Sequence, residues 1–324
     1  MKIIITSLLL LSILFGCETT KTSNDTTSIF QDTLQLKNDF LTVKVKTFGA
    51  ELISIQSNKD QQEYLWQGDS ISWQDHAIVQ FPIVCNVKDD KYTFEGKEYE
   101  IMSHGFGRVS QYTVDILSDT SVVLSIQSDE NTKKMYPFDF TYAVSYTLTN
   151  NKVNVRFDIK NTGSKEMFYS SGYHPGFNCP LDADAQFSDY QLSFEKEETI
   201  ESLTLEKGMV IAQKRPFLNA NSNFPLTKKA FEQDVFILEK PSSKTVSINK
   251  INATEQDKSV VLTFGDVPYL GIWSPSNESP FVCIEPWFGL PDDEGERVDF
   301  NAKKAIRHLQ PNDKFQWDFA MEFR

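Results

Sequence analysis

Histidine, cysteine and positive charge are all in short supply in this chain. Its 324 residues include four histidines and four cysteines, and 45 acidic side chains outweigh 32 basic ones, for a formal net charge of −13. That balance excludes a nucleic-acid partner, whose phosphates need a basic surface. It also weighs against strongly anionic substrates, unless a local basic pocket overrides it. One cysteine, Cys17, closes the leading apolar run. The remaining three, Cys85, Cys179 and Cys283, are an odd number and cannot all pair within one chain. Their spacing fits no zinc motif, which leaves small apolar filler as their expected role. The chain has no phosphate-cradling glycine loop and no His-Glu-x-x-His helix. After residue 15 no long apolar run recurs, so no further membrane span is expected.

The leader has its own logic. Met1-Lys2 precedes an apolar run from Ile3 to Phe15. That run is shorter than the roughly 20 residues a spanning helix needs, and it suits a signal peptide. Leu14-Phe15-Gly16-Cys17 resembles a bacterial lipobox, in which the cysteine is lipidated and becomes the mature N-terminus. A cleaved signal with an incidental cysteine is the alternative. Residues 1–16 are therefore read as a signal peptide, and 17–29 as a lipidated cysteine on a Thr/Ser/Asp/Lys-rich tether. The lipid would contribute about 0.8 kcal/mol per buried methylene to membrane attachment. The expected address is the bacterial cell envelope, with the body exported and facing the periplasm.

From residue 30 to 324 the pattern is that of strands. Leu41, Val43 and Val45 alternate with polar neighbours, as do Val122, Leu124 and Ile126. Tyr92 and Phe94 run into Glu95-Gly96 and return through Tyr99 and Ile101, which predicts a hairpin. Val144, Tyr146 and Leu148 lead to Asn150-Asn151 and return through Val153, Val155, Phe157 and Ile159. Phe236/Leu238, Val246/Ile248 and Val261/Thr263 are further alternating pairs. Only Lys228–Gln233 suggests a helical turn. The predicted fold is all-β, a large antiparallel β-sandwich in one domain.

Three segments set a histidine or a glutamate among glycines, prolines and aromatics. They are Met102-Ser103-His104-Gly105-Phe106-Gly107-Arg108, Ser170-Ser171-Gly172-Tyr173-His174-Pro175-Gly176-Phe177-Asn178 and Phe281-Val282-Cys283-Ile284-Glu285-Pro286-Trp287-Phe288-Gly289. The glycines and proline around His174 predict a turning or extended backbone. Glu285 is expected to be partly desolvated, which raises a carboxyl pKa unless a cation or donor opposes it. A histidine and a glutamate together can supply an acid and a base near neutral pH. Taken singly, each has a bland alternative, a turn histidine or a capping carboxylate. His76 and His308 are read as structural, and Arg108 alone as the partner of an acidic side chain at a sheet edge.

The order Phe81-Pro82-Ile83-Val84, His104-Gly105-Phe106, His174-Pro175-Gly176-Phe177-Asn178 and Glu285-Pro286-Trp287-Phe288-Gly289 resembles the aldose 1-epimerase (galactose mutarotase-like) family. Phe48-Gly49-Ala50-Glu51-Leu52 and Glu63-Tyr64-Leu65-Trp66-Gln67-Gly68 look like its N-terminal strands, and Pro268–Trp273 like its late core strand. The resemblance implies a large sandwich with an open sugar cleft and cofactor-free interconversion of the anomers of a free aldose. No metal is implied. Carried over, Glu285 removes the C1 hydroxyl proton and His174 protonates the ring oxygen. His104 orients the sugar, and Asp234 accepts a sugar hydroxyl. Trp287, Phe288 or Tyr173 would offer an apolar face. One departure stands out: Cys85-Asn86 occupies the place of the family's usual Gly-Arg. Asn86 keeps hydrogen-bonding capacity but loses charge and reach, and Arg108 is the expected stand-in. A non-catalytic carbohydrate-binding lipoprotein on the same sandwich is the alternative. A hydrolase would need a second carboxylate across the cleft, and Asp292-Asp293-Glu294 reads instead as a solvated loop.

Overall fold

The computed structural model describes residues 32–324. The signal, Cys17 and the tether up to residue 29 lie outside the described residues. Among the described residues no helix is long and apolar enough to cross a membrane.

Alternation decides most of the architecture. Phe140–Thr149 and Lys152–Asn161 bury every second side chain, as a sheet with one wet face requires. They pair antiparallel and turn at Asn150, whose φ is 52°. Lys91–Phe94 and Lys97–Glu100 form the expected hairpin, with Glu95 and Gly96 at φ 50° and 74°. Two successive positive φ values match the twist of the flanking strands. The expected helical turn is a short 3-10 segment, Lys228–Phe231.

The main sheet has 14 strands. One end runs Ala77–Gln80, Ser171–Asn178, Phe281–Phe288, Tyr269–Trp273, and the other ends on Phe140–Thr149, Ser121–Gln127 and Thr113–Leu117. The two ends meet face to face. Phe81 from the first stacks on Tyr142 from the second at 4.4 Å, and Tyr173 meets Phe157 at 5.4 Å. The sheet thus curls over its own aromatic core, and the molecule is an antiparallel β-sandwich. A separate three-stranded sheet, Thr33–Lys37, Leu41–Lys46 and Leu52–Ser57, adds to the core.

Several local expectations change. Phe48–Glu51 is not strand: Gly49 and Ala50 have φ of 75° and 45°, and the strand starts at Leu52. Residues 63–68 make only isolated bridges, Gln56 with Glu63 and Leu65 with Phe177. In Ser259–Thr263 the buried pair is Val260 and Leu262, one residue out of step with the expected Val261 and Thr263. The run Val260-Val261-Leu262 is apolar throughout, so either register looked plausible, and a slip of one exchanges the faces. The longest strands, Tyr190–Glu206 and Met209–Pro225, have no counterpart in the sequence reading.

Candidate active site

The His174 segment is strand and not turn. Ser171–Asn178 lies between Ala77–Gln80 and Phe281–Phe288. Gly172 and Gly176 are therefore not used for unusual backbone angles; they make room. A Cβ on Gly172 would lie 2.1 Å from the Gln80 Oε1, and one on Gly176 would lie 2.8 Å from the Trp73 ring. The two strands register at Gly172↔Trp287 and again at Gly176↔Cys283. Counting inward from both, His174 faces Glu285. Between these points Pro175 and Pro286 have no N–H to give to the ladder.

His174 Nε2 and Glu285 Oε2 are 3.2 Å apart, with side chains 9% and 1% exposed. Burial pushes the Glu285 carboxyl well above its ordinary range, and the nearby Asp234 charge adds to this. Gln80 and Trp287 oppose the shift as donors. The Gln80 amide donates to Oε2 at 3.5 Å, whereas the Trp287 indole N–H makes no hydrogen bond of good geometry. We give the indole the lesser weight. Burial also holds His174 well below the usual imidazole range, helped by His104 and the Arg108 charge. The pair accordingly holds one proton between its members, and its titration belongs to both.

His104 is fixed as a neutral donor. Its Nδ1 accepts from the Gln80 amide at 3.0 Å and from the Cys85 N–H at 3.3 Å. Two donors on Nδ1 leave the proton on Nε2. Burial, with help from the Arg108 charge, lowers its pKa to about 3. The backbone at His104 is left-handed, φ 62°, and Gly105 follows at φ 73°. A Cβ on Gly105 would sit 2.2 Å from the Phe81 carbonyl oxygen, so this tight approach admits glycine alone.

These groups open into a cavity of about 270 Å³, near the small end of the range for small-molecule sites. His174, Glu285, His104, Asp234, Asn86 and Trp287 all line it. Asp234 is exposed at its mouth, φ 65°, with Oδ1 accepting from the Val235 N–H at 2.8 Å. Arg108 is not among the lining residues. It pairs with Asp75 at 2.6 Å, as the sheet-edge reading expected, and reaches the histidines only through its charge. Tyr173 and Phe288 face the opposite side, Tyr173 against Phe319 and Phe288 against Trp317. The period-2 rule requires this, since each adjoins a cavity-facing residue. Their place is taken by Trp73 and Trp273, whose rings lie 4.7 and 5.9 Å from that of His174. His76 bonds Glu51 at 3.0 Å and His308 bonds Glu166 at 2.6 Å, both away from the cavity.

The long hairpin supplies one wall. Its tip turns at Lys207 and Gly208, φ 51° and 79°, and Leu205 and Gly208 line the cavity. A Cβ on Gly208 would come within 2.7 Å of the Asn86 amide nitrogen. The acidic loop below is less solvated than expected. Asp292 pairs with buried Lys303 at 2.9 Å, and its N–H donates to the Asn86 carbonyl at 3.1 Å. Gln80, fully buried, also escaped the sequence reading. Its signal was there, a lone polar residue in Ala77-Ile78-Val79-Gln80-Phe81. Cys85 lines the cavity, and Cys85, Cys179 and Cys283 are all unpaired. Among the described residues, one group of side chains has metal-ligand chemistry and spacing: His174, Cys283 and Glu285.

With this geometry in hand, comparison with known proteins gives a consistent result. The family model for aldose 1-epimerase matches residues 32–302. The plasmid and chromosomal forms of protein LacX from Lactococcus lactis subsp. lactis are 33% identical over 290 residues, 87% of this chain and 96% of theirs. Among solved structures, a galactose mutarotase related enzyme from Lactobacillus acidophilus superposes with TM-score 0.83 at 30% identity, covering 90% of this chain and 97% of that one. A galactose mutarotase-like protein from Lactobacillus casei ATCC 334 gives 0.84 at 30%, covering 90% and 100%.

Proposed function

The chain belongs to the aldose 1-epimerase family, and on that premise we propose that it interconverts the α and β anomers of a free aldose. The observation that carries this reading is the buried His174–Glu285 contact at 3.2 Å on the floor of the cavity. Mutarotation removes one proton from the C1 hydroxyl and delivers one to the ring oxygen. The ring C–O bond then breaks, a carbonyl forms at C1, rotation about C1–C2 exposes its other face, and closure reverses both transfers. A pair that shares one proton suits this sequence, because each member must act as acid in one half and as base in the other. In the forward half the pair's proton passes from Glu285 to His174 across their contact, the carboxylate so freed takes the C1 proton, and the imidazolium gives its proton to the ring oxygen. His104 offers its Nε2–H to a sugar oxygen, Asp234 and Asn86 bind hydroxyls at the rim, and the tryptophans cover the sugar's C–H faces. Arg108 contributes its charge from behind.

The test is optical rotation. The full chain in detergent is added to fresh α-glucose or α-galactose, and decay to the equilibrium rotation is timed. Acceleration by the native chain, with about 10²–10⁴-fold lost in Glu285→Gln, is expected. No acceleration with any common aldose would remove the enzyme reading; sugar binding without turnover would favour a binding lipoprotein. We extend the proposal to the address: lipidation at Cys17 holds the body at the cell envelope. Cys17→Ala is expected to move the protein from the membrane to the soluble fraction, and unchanged retention would defeat this.

A further inference from the structure

The residue next along the cavity face from Glu285 has no part in the anomer chemistry. Cys283 and Glu285 are two apart on one strand, so both side chains leave the same face. Cys283 lies against Gly176, its Sγ 3.4 Å from where a Cβ would stand there, with Trp73 covering the same glycine. The imidazole nitrogen of His174, the Cys283 sulfur and a Glu285 carboxylate oxygen lie within 4.8 Å of one another. All three residues are buried, and His174 and Glu285 open to the cavity.

We propose that His174, Cys283 and Glu285 form a three-ligand site for zinc or a similarly soft divalent ion. Its occupancy displaces the sugar by taking the acid–base pair out of use. Nitrogen, thiolate and carboxylate are the ligand types zinc selects, and three protein ligands with an open fourth position is a familiar arrangement for it. Here the open position faces the cavity. The 3.2 Å between Nε2 and Oε2 is already close to the ligand–ligand edge that bonds of about 2.0–2.2 Å impose in a tetrahedron. The sulfur, within 4.8 Å of both atoms, must come roughly 1 Å closer to join them, given a zinc–sulfur bond of about 2.3 Å. Charge also balances. The ion enters as a dication, the thiol and carboxyl each release a proton, and thiolate and carboxylate neutralise it in the buried site. Magnesium and calcium, which prefer all-oxygen shells, are not expected to compete. The blocking consequence rests on the anomer-exchange reading; the binding itself does not.

Cadmium serves as the probe, because a cadmium–thiolate bond absorbs in the ultraviolet. The full chain, native and with Cys283→Ala, Cys283→Ser and Cys85→Ala, is titrated with cadmium and then with zinc in competition. One equivalent of cadmium is expected to produce the absorption in the native and Cys85→Ala chains. Zinc should remove it, and magnesium should not. Both Cys283 variants are expected to bind at least about 100-fold more weakly; the serine form, nearly isosteric, guards against a packing failure in the alanine form. In chains that accelerate mutarotation, zinc is expected to inhibit the native enzyme and to spare Cys283→Ser at the same concentration. Absorption that survives loss of Cys283, or that is lost with Cys85 instead, overturns the site. Binding with no effect on mutarotation overturns the blocking consequence alone, while a chain that binds cadmium but never turns over sugar counts against the functional reading and leaves the site standing.

Discussion

The buried acid–base pair makes a prediction about stability that needs no sugar. Unfolded, a glutamate titrates near pH 4.3 and a histidine near about 6.5. Between those values the unfolded pair holds one proton, on the histidine. In the folded protein burial raises Glu285 and lowers His174, so the folded pair also holds one proton, on the carboxyl. The slope of unfolding free energy with pH is set by the difference in bound protons. For the native pair that difference is zero, and the pair contributes no pH dependence across the window. Each single variant breaks the cancellation. In Glu285→Gln only His174 remains; the unfolded state binds a proton that the folded state refuses, so stability rises with pH. In His174→Leu only Glu285 remains; the folded state keeps a proton that the unfolded state has lost, so stability falls as pH rises. Burial is the largest cause of both shifts, and it acts on the remaining group in either single variant. The direction of each shift is therefore kept when the partner is removed.

The magnitude follows directly. One proton corresponds to about 1.4 kcal/mol per pH unit, or about 3 kcal/mol across the two units of the window. At roughly 2 °C per kcal/mol for a chain of this size, each variant drifts by about 5 °C relative to the native protein, in opposite directions. The assay is thermal unfolding of the three proteins from pH 4.5 to 6.5, with a chelator present and the native curve subtracted. His104, lowered to about 3, and every exposed group cancel in that subtraction. Parallel curves for all three proteins would show that the pair is not held neutral by burial, and would refute the reasoning.

Three other outcomes are expected. Gly105→Ala puts a Cβ 2.2 Å from the Phe81 carbonyl at a φ of 73°, and strain plus overpacking should cost about 2–5 kcal/mol in denaturant titration; a loss under 1 kcal/mol would contradict the close approach. Gln80→Leu keeps the volume but removes the amide that bridges His104 and Glu285. Mutarotation is expected to lose about tenfold or more in kcat with KM nearly unchanged, together with a displaced pH profile, and an unaltered profile would deny Gln80 its positioning role. No lysine or arginine lines the cavity, whereas the exposed Asp234 does; hexose 6-phosphates should therefore bind at least about 100-fold more weakly than the free hexoses, as calorimetry can measure, and equal affinity would mean that a cation reaches the phosphate.

What the sequence disclosed follows from how each residue signals itself. Glu285 and His174 were legible because each is the one acidic or basic side chain in a strand with few polar residues, and burying such a group is costly unless it has a use or a partner. The strands were legible wherever one face is wet. At Ser171–Asn178 and Phe281–Phe288 nearly every residue is buried, alternation vanishes, and the glycines of the first then look like a turn. Their use as spacers under Gln80 and Trp73 depends on neighbours that are distant in sequence. The Tyr190–Glu206/Met209–Pro225 hairpin was hidden for a different reason. Its pairing is broken by repeated register shifts, and each shift exchanges the faces and erases the period.

The same division separates the chemistry from the choice of sugar. The proton-carrying pair stands on strands paired on both sides, and its support, Gln80, on the edge strand beside them. The cavity wall comes from elsewhere: the Trp73 loop, the Asp234 turn and the hairpin tip at Gly208. Asn86 belongs to this second group, since its amide fills the space a Cβ on Gly208 would need. An arginine at position 86 would extend into the same space and meet the hairpin. The asparagine and the glycine opposite therefore fit one another: the hairpin comes close because the side chain beneath it is short. On the proposed function, altering the hairpin tip and residue 86 together is expected to change which sugar is accepted, while His174 and Glu285 stay where the sheet holds them.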